Sequence, residues 1–87
     1  MEIKRVNSEY QKLETARLSA QIGALIKQAR KTKGISQERL AEAADISEKY
    51  LSSVENSKEP NLSIGYVVAI ALALKVPFLQ LIPSDTP

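Results

Sequence analysis

The side chains best placed to do chemistry in this chain are hydrogen-bonding ones, gathered between Ser36 and Lys58. If the stretch after Ser47 is helical, Leu51 and Val54 share one side and Lys49, Ser52, Ser53 and Asn56 fall on the other. Lys49 can donate to O6 and N7 of a guanine, Glu48 can accept from N4 of a cytosine, and the hydroxyls of Ser52 and Ser53 can serve either kind of base. Glu48 and Lys49 are adjacent in sequence and do not face each other as a helical ion pair does. The same residues also describe an ordinary solvated helix face. Gln37 sits in the first turn of a preceding helix, where free backbone N–H groups attract a phosphate; the other reading is plain helix-start polarity. Tyr50 can bond a phosphate, or pack its ring beside the first helix with its hydroxyl wet.

Other chemistry is harder to build. The chain has no Cys and no His, so thiol nucleophiles, thiolate zinc sites and imidazole acid–base catalysis are unavailable. No phosphate-cradling glycine loop or metal-ligand spacing occurs either, and the expectation is a non-enzyme without cofactor or metal. The formal charge of +2 conceals a segregation. Ile22 to Gly34 carries Lys27, Arg30, Lys31 and Lys33 with no acid, whereas Ile35 to Pro60 has six acids against Arg39, Lys49 and Lys58. The basic cluster is either an electrostatic footprint for phosphate or a complement to a helix C-terminal dipole.

The elements that must position these residues read as all-helical. Eighty-seven residues suffice for one compact domain. Ser19 is expected to cap a first core helix carrying Leu18, Ile22, Leu25, Ile26 and Ala29, stopped by a left-handed Gly34. Ser36 caps a second helix with Leu40, Ala41 and Ala44 on one side, and Ser47 a third. Only Asp45 and Ile46 lie between them. A turn this tight needs a small residue at the crossing and a branched one to plug it, roles that suit Ala41 and Ile46. Ser63 caps a fourth helix with Ile64, Val67, Val68, Ala71, Leu72 and Leu74, and Pro77 opens a last short turn. Ile64 to Ile82 is long and apolar enough to suggest a membrane span, but Lys75 and Pro77 interrupt it. Before Ser19, the spacing of Ile3, Val6, Tyr10 and Leu13 with a Ser8–Gln11 capping box fits a short amphipathic helix; a frayed leader is the alternative. The start does not read as a secretory signal, and the expected location is cytoplasmic.

As a set these residues resemble the lambda-repressor-like helix-turn-helix proteins of the Cro and phage-repressor, or Xre, type. The match runs from about Ile22 to Leu81 and is carried by Arg30, Gly34, Ser36, Gln37, Leu40, Ala41, Ile46, Ser47, Tyr50, Leu51, Ser52, Val54, Glu55, Asn56, Pro60 and the run Ile70 to Leu74 before Val76. Asp45, Ser57 and Lys75 stand where the family frequently has glycine. The resemblance implies an all-α compact bundle of about five short helices at 19–83, with an N-terminal arm or extra helix at 1–18 and a flexible tail at 84–87. It further implies that Gln37 contacts phosphate, that bases are read from Glu48, Lys49 and Ser53, and that Arg30 and Glu55 form a partly buried salt bridge from the first helix to the third. The candidate DNA-binding set is then Ser36, Gln37, Ser47, Glu48, Lys49, Tyr50, Ser52, Ser53, Asn56 and Lys58. Dimerisation in the family involves the region after the fourth helix, here Val76 to Ile82. Phe78, Leu79, Leu81 and Ile82 are more apolar surface than one turn easily hides, and both uses, finishing the core and forming the interface, are expected of this segment. The expected function is a sequence-specific double-stranded DNA-binding transcriptional regulator, a repressor or autoregulator acting as a homodimer on a palindromic operator, without membrane association. The alternative is a protein-interaction module, such as an antitoxin-like chain gripping a partner protein through its arm or acidic middle.

Overall fold

Hydrogen-bonding residues at each helix start and left-handed residues at each helix end punctuate this chain, and the computed structural model, which describes residues 2–84, follows that punctuation closely. Four α-helices appear, α1 (Ser8–Thr32), α2 (Gln37–Ala44), α3 (Glu48–Glu55) and α4 (Ile64–Leu74), followed by a 3-10 turn at Phe78–Leu81. There is no strand among the described residues. Of the tail expected at 84–87, all but Ser84 lies outside the described residues, as does Met1. No helix among the described residues is long and apolar enough to cross a membrane.

The expected caps at Ser36, Ser47 and Ser63 form: their hydroxyls accept from the backbone N–H of Arg39, Tyr50 and Tyr66 at 3.1, 3.0 and 3.4 Å. The expected cap at Ser19 does not form. No Gly or Pro separates Ser8 from Ile22 and good helix formers fill the interval, so the arm helix and the first core helix are one helix of 25 residues. Its cap is Asn7, one residue before the expected capping box, whose side-chain oxygen accepts from Glu9 and Tyr10 at 2.9 and 3.0 Å. Ser19 is instead buried in mid-helix. Its hydroxyl donates to the carbonyl of Pro60 at 3.3 Å and accepts from the N–H of Leu62 at 3.1 Å, fastening the α3–α4 connection to α1.

Ile26, Leu40, Leu51, Val54, Val67, Ile70, Leu74 and Leu81 fill the centre. Complete burial of each contributes about 1.5–3 kcal/mol, which offsets the ordering of short helices that are marginal alone. Only one side of α4 takes part: Val67, Ile70, Ala71 and Leu74 are in the core, whereas Ile64, Val68 and Leu72 are exposed. One close helix contact, at Gly23, is not singled out by the sequence reading. A Cβ on Gly23 would lie 2.0 Å from the carbonyl oxygen of Val54, so α1 and α3 approach to a distance only glycine permits. A lone glycine inside a helical pattern was the available signal.

Candidate nucleic-acid interface

The short α3 depends on its neighbours for orientation. Leu51 and Val54 bury one side, and Asp45, Ile46 and Ser47 set the angle to α2. Asp45 takes the left-handed conformation at φ 58°, and Ile46 donates back to the carbonyl of Ala41 at 3.0 Å, closing the end of α2 before α3 begins. Ile46 is half-buried against the core, as the turn plug should be.

Behind α3 lies a charged lock. Arg30 donates through Nε to Glu55 Oε2 at 2.7 Å and through Nη2 to Oε1 at 2.9 Å, while its Nη1 reaches the carbonyl of Ile35 at 2.8 Å. Both residues are buried, the Glu55 side chain completely. The hydrogen bonds to Glu55 raise the guanidinium pKa further above its ordinary value, against the opposing effect of burial. Gln37, which sequence reasoning assigned to phosphate, also points at this lock: its Nε2 donates to Glu55 Oε1 at 3.0 Å. One carboxylate therefore ties α1, the start of α2 and the end of α3 together. An amide nitrogen carries two hydrogens, so one N–H of Gln37 remains for a second acceptor.

On the opposite side of α3, Glu48, Lys49 and Asn56 are exposed and Ser52 and Ser53 half-buried. Asn56 folds back, donating to the carbonyl and hydroxyl oxygens of Ser52 at 2.9 and 3.2 Å, which leaves the Ser52 O–H free to donate outward. Ser36 and Ser47, exposed at the helix starts, spend only acceptor capacity on their caps. Lys58 is exposed just beyond α3, its backbone N–H bonded to the carbonyl of Ser53 at 2.8 Å. Tyr50 is half-buried, and its ring packs on Tyr66 of α4, with centroids 4.7 Å apart and planes inclined by 42°. Burial, then the Glu59 carboxylate and Tyr66, raise the Tyr50 phenol above its ordinary value, so it stays a neutral donor at physiological pH.

The segment expected to mediate dimerisation divides. Leu79 is 77% exposed, and Phe78 and Ile82 are half-buried. Leu81 is wholly buried and closes the monomer core, so it is not an interface residue. Four residues in a tight 3-10 turn present successive side chains to different sides, and only one of the two leucines can point outward.

Residues 26–81 match the family described as Helix-turn-helix. Over 55 residues the chain is 44% identical to the HTH-type transcriptional regulator SinR of Bacillus subtilis (strain 168), in an alignment taking in 63% of this chain and 50% of that protein. The chain spans about half the length of the curated relatives it matches. Among solved structures, the restriction-modification controller protein C.AhdI from Aeromonas hydrophila is similar with a TM-score of 0.68 and 28% identity, covering 72% of this chain and 94% of that one. The master regulator for biofilm formation SinR, in complex with DNA, gives a TM-score of 0.65 and 42% identity, covering 69% of this chain and 95% of that one.

Proposed function

The chain belongs to the helix-turn-helix family, and from that premise we propose that it is a sequence-specific double-stranded DNA-binding transcriptional regulator. It acts as a non-enzymatic homodimer in the cytoplasm, repressing transcription by occupying a promoter. The observation that carries this reading is the two-sided character of α3: one side is locked into the core through Leu51, Val54 and the Glu55 lock, and the other is polar and uncovered. A SinR structure similar to this chain holds DNA, which supports the same assignment.

In the major groove, Lys49 donates to guanine, Glu48 accepts from cytosine, and Ser52 and Ser53 complete the base contacts. The free N–H of Gln37 and the backbone N–H groups at the start of α2 hold a phosphate. Hydroxyls of Ser36, Ser47 and Tyr50, with Asn56 and Lys58, bind the flanking backbone and fix register. Leu79 and Ile82, with Phe78 at their edge, form the dimer contact, which the exposed row Ile64, Val68 and Leu72 on α4 can enlarge.

Titration of duplexes from the region upstream of this chain's own gene, against shuffled duplex and across salt, tests the reading. One sequence should bind about 10³-fold or more tighter than the shuffled control. The logarithm of affinity should fall by roughly 0.9 per neutralised phosphate for each tenfold rise in salt. Equal binding of every duplex screened, or none, would leave the helix face a solvated surface.

A further inference from the structure

The connection between α3 and α4 is largely exposed, yet it is held at fixed points along its length. No glycine occurs from Asn56 to Ser63. Ser57 takes the left-handed conformation at φ 62°, and the N–H of Lys58 returns to the carbonyl of Ser53 at 2.8 Å, which fixes where the connection leaves α3. Glu59 Oε1 accepts from the N–H of Asn61 at 3.2 Å, and the Pro60 ring restricts the backbone between them. These constraints are local. The long-range anchor is Ser19. A serine or threonine inside a helix commonly turns its hydroxyl to a carbonyl of its own preceding turn, as Thr15 does to Gln11 at 2.8 Å. Ser19 instead gives both its donor and its acceptor to the connection, at 3.3 Å to the carbonyl of Pro60 and 3.1 Å from the N–H of Leu62. It is buried, so water does not compete for either bond.

Between the anchor at Ser53 and the anchor at Ser19 lies Lys58, the only cation from Asn56 to Ser63. We propose, resting on the DNA-binding reading above, that Ser19 is a positioning residue for DNA: by closing the far end of the connection onto α1, it holds Lys58 in place for a phosphate before the duplex arrives. With both ends anchored, the phosphate contact forms without ordering the connection. Without Ser19, the carbonyl of Pro60 and the N–H of Leu62 lose their partner and turn to water, and the connection pivots about Ser57. Each encounter with DNA must then order it again, which weakens binding. A phosphate contact carries no sequence information, so the effect falls alike on every duplex and leaves base preference to α3.

Amide hydrogen exchange and duplex titration on the same proteins test this. In the free wild-type chain the N–H of Leu62 should be protected before any DNA is added. In Ser19→Ala the exchange of Leu62 and Asn61 should accelerate several-fold more than that of the core amides of α1 and α4. A Leu62 amide unprotected in the free wild-type chain overturns the proposal, and this measurement does not depend on the variant folding. Acceleration by one factor throughout the chain also overturns it, because Ser19 would then serve global stability alone. In titrations well below the thermal midpoint, Ser19→Ala should weaken the preferred and the shuffled duplex several-fold and by similar factors. In a Lys58→Ala background the same substitution should add little, since the contact it positions is already gone. An equal loss in both backgrounds overturns the proposal. A wild-type chain that binds no duplex overturns the DNA-binding reading and this inference with it, whereas a wild-type chain that binds, matched in affinity by Ser19→Ala, overturns this inference alone.

Discussion

Glu55 accepts from Arg30 twice and from Gln37 once, and this satisfaction is what makes a fully buried carboxylate tolerable. Removing one partner of such a pair strands the other. Glu55→Ala is expected to cost about 3–5 kcal/mol, because Arg30 is left charged in a site with no acceptor but the carbonyl of Ile35. Gln37→Ala should cost less, since it removes one neutral donor from a carboxylate that Arg30 still holds. Chemical denaturation of Arg30→Ala, Glu55→Ala and the double variant checks this: strong non-additivity is expected, and additive losses would mean the pair does not interact. Lys49 is the opposite case, exposed and without a salt-bridge partner among the described residues. Lys49→Ala should leave the thermal midpoint unchanged while lowering affinity for the specific site by about 1–3 kcal/mol and relaxing preference at one base position. Unchanged affinity and preference would remove Lys49 from the reading face.

At the scale of elements, all four helices end alike, with a left-handed residue whose follower donates back to the last turn: Ile35 to Arg30, Ile46 to Ala41, Lys58 to Ser53 and Val76 to Ala71. Only the first uses glycine; Asp45, Ser57 and Lys75 hold φ of 58°, 62° and 59°. The left-handed conformation costs a residue with a Cβ about 1–2 kcal/mol, less for Asp. Part of that is returned because a glycine would lose more entropy on folding, by about 0.5–1 kcal/mol. Lys75→Gly should therefore stabilise the domain by about 0.5–1 kcal/mol, with roughly 4–8 °C of thermal midpoint per kcal/mol. A fall in the midpoint would show that the Lys75 side chain contributes more than its backbone strain costs. The capped starts at Ser36, Ser47 and Ser63 and the end at Gly34 were legible in the sequence, because capping serines and a turn glycine are local signals, and so was the core side of α2 and α3; Ser57 and Lys75 carry no such signal, and their left-handed turns are set by the packing around them. Ser19 was not legible. A serine that opens a helix and one whose hydroxyl serves a distant loop look the same in sequence, and only the partners, Pro60 and Leu62, distinguish them. The bond that Gln37 makes to Glu55 was not legible either: it spans 18 residues and exists only once α1, α2 and α3 have met.

For the molecule as a whole, the long dimension of 48 Å against 26 and 19 Å reflects α1, about 37 Å long at 1.5 Å per residue. The reading face proposed above lies on one eight-residue helix, so in that proposal one copy reaches only a few base pairs, too few to select a site in a genome. The proposed twofold dimer would resolve this by presenting two copies of α3 about 34–36 Å apart, one turn of B-DNA, to the halves of a near-palindrome. Leu79 is the side chain on which the proposed contact depends most, being both large and uncovered, while Leu81 beside it is committed to the core. Leu79→Glu should therefore leave the helical content and thermal midpoint of the monomer intact and shift sedimentation toward the monomer. Operator affinity should fall steeply, because each half-site must then be held without the raised local concentration that a linked second domain provides. Leu81→Glu, in contrast, should unfold the domain, since it buries an unpaired charge. If Leu79→Glu stays folded and monomeric yet binds the full palindrome with parental affinity, the two halves are read independently and the dimer contact lies elsewhere.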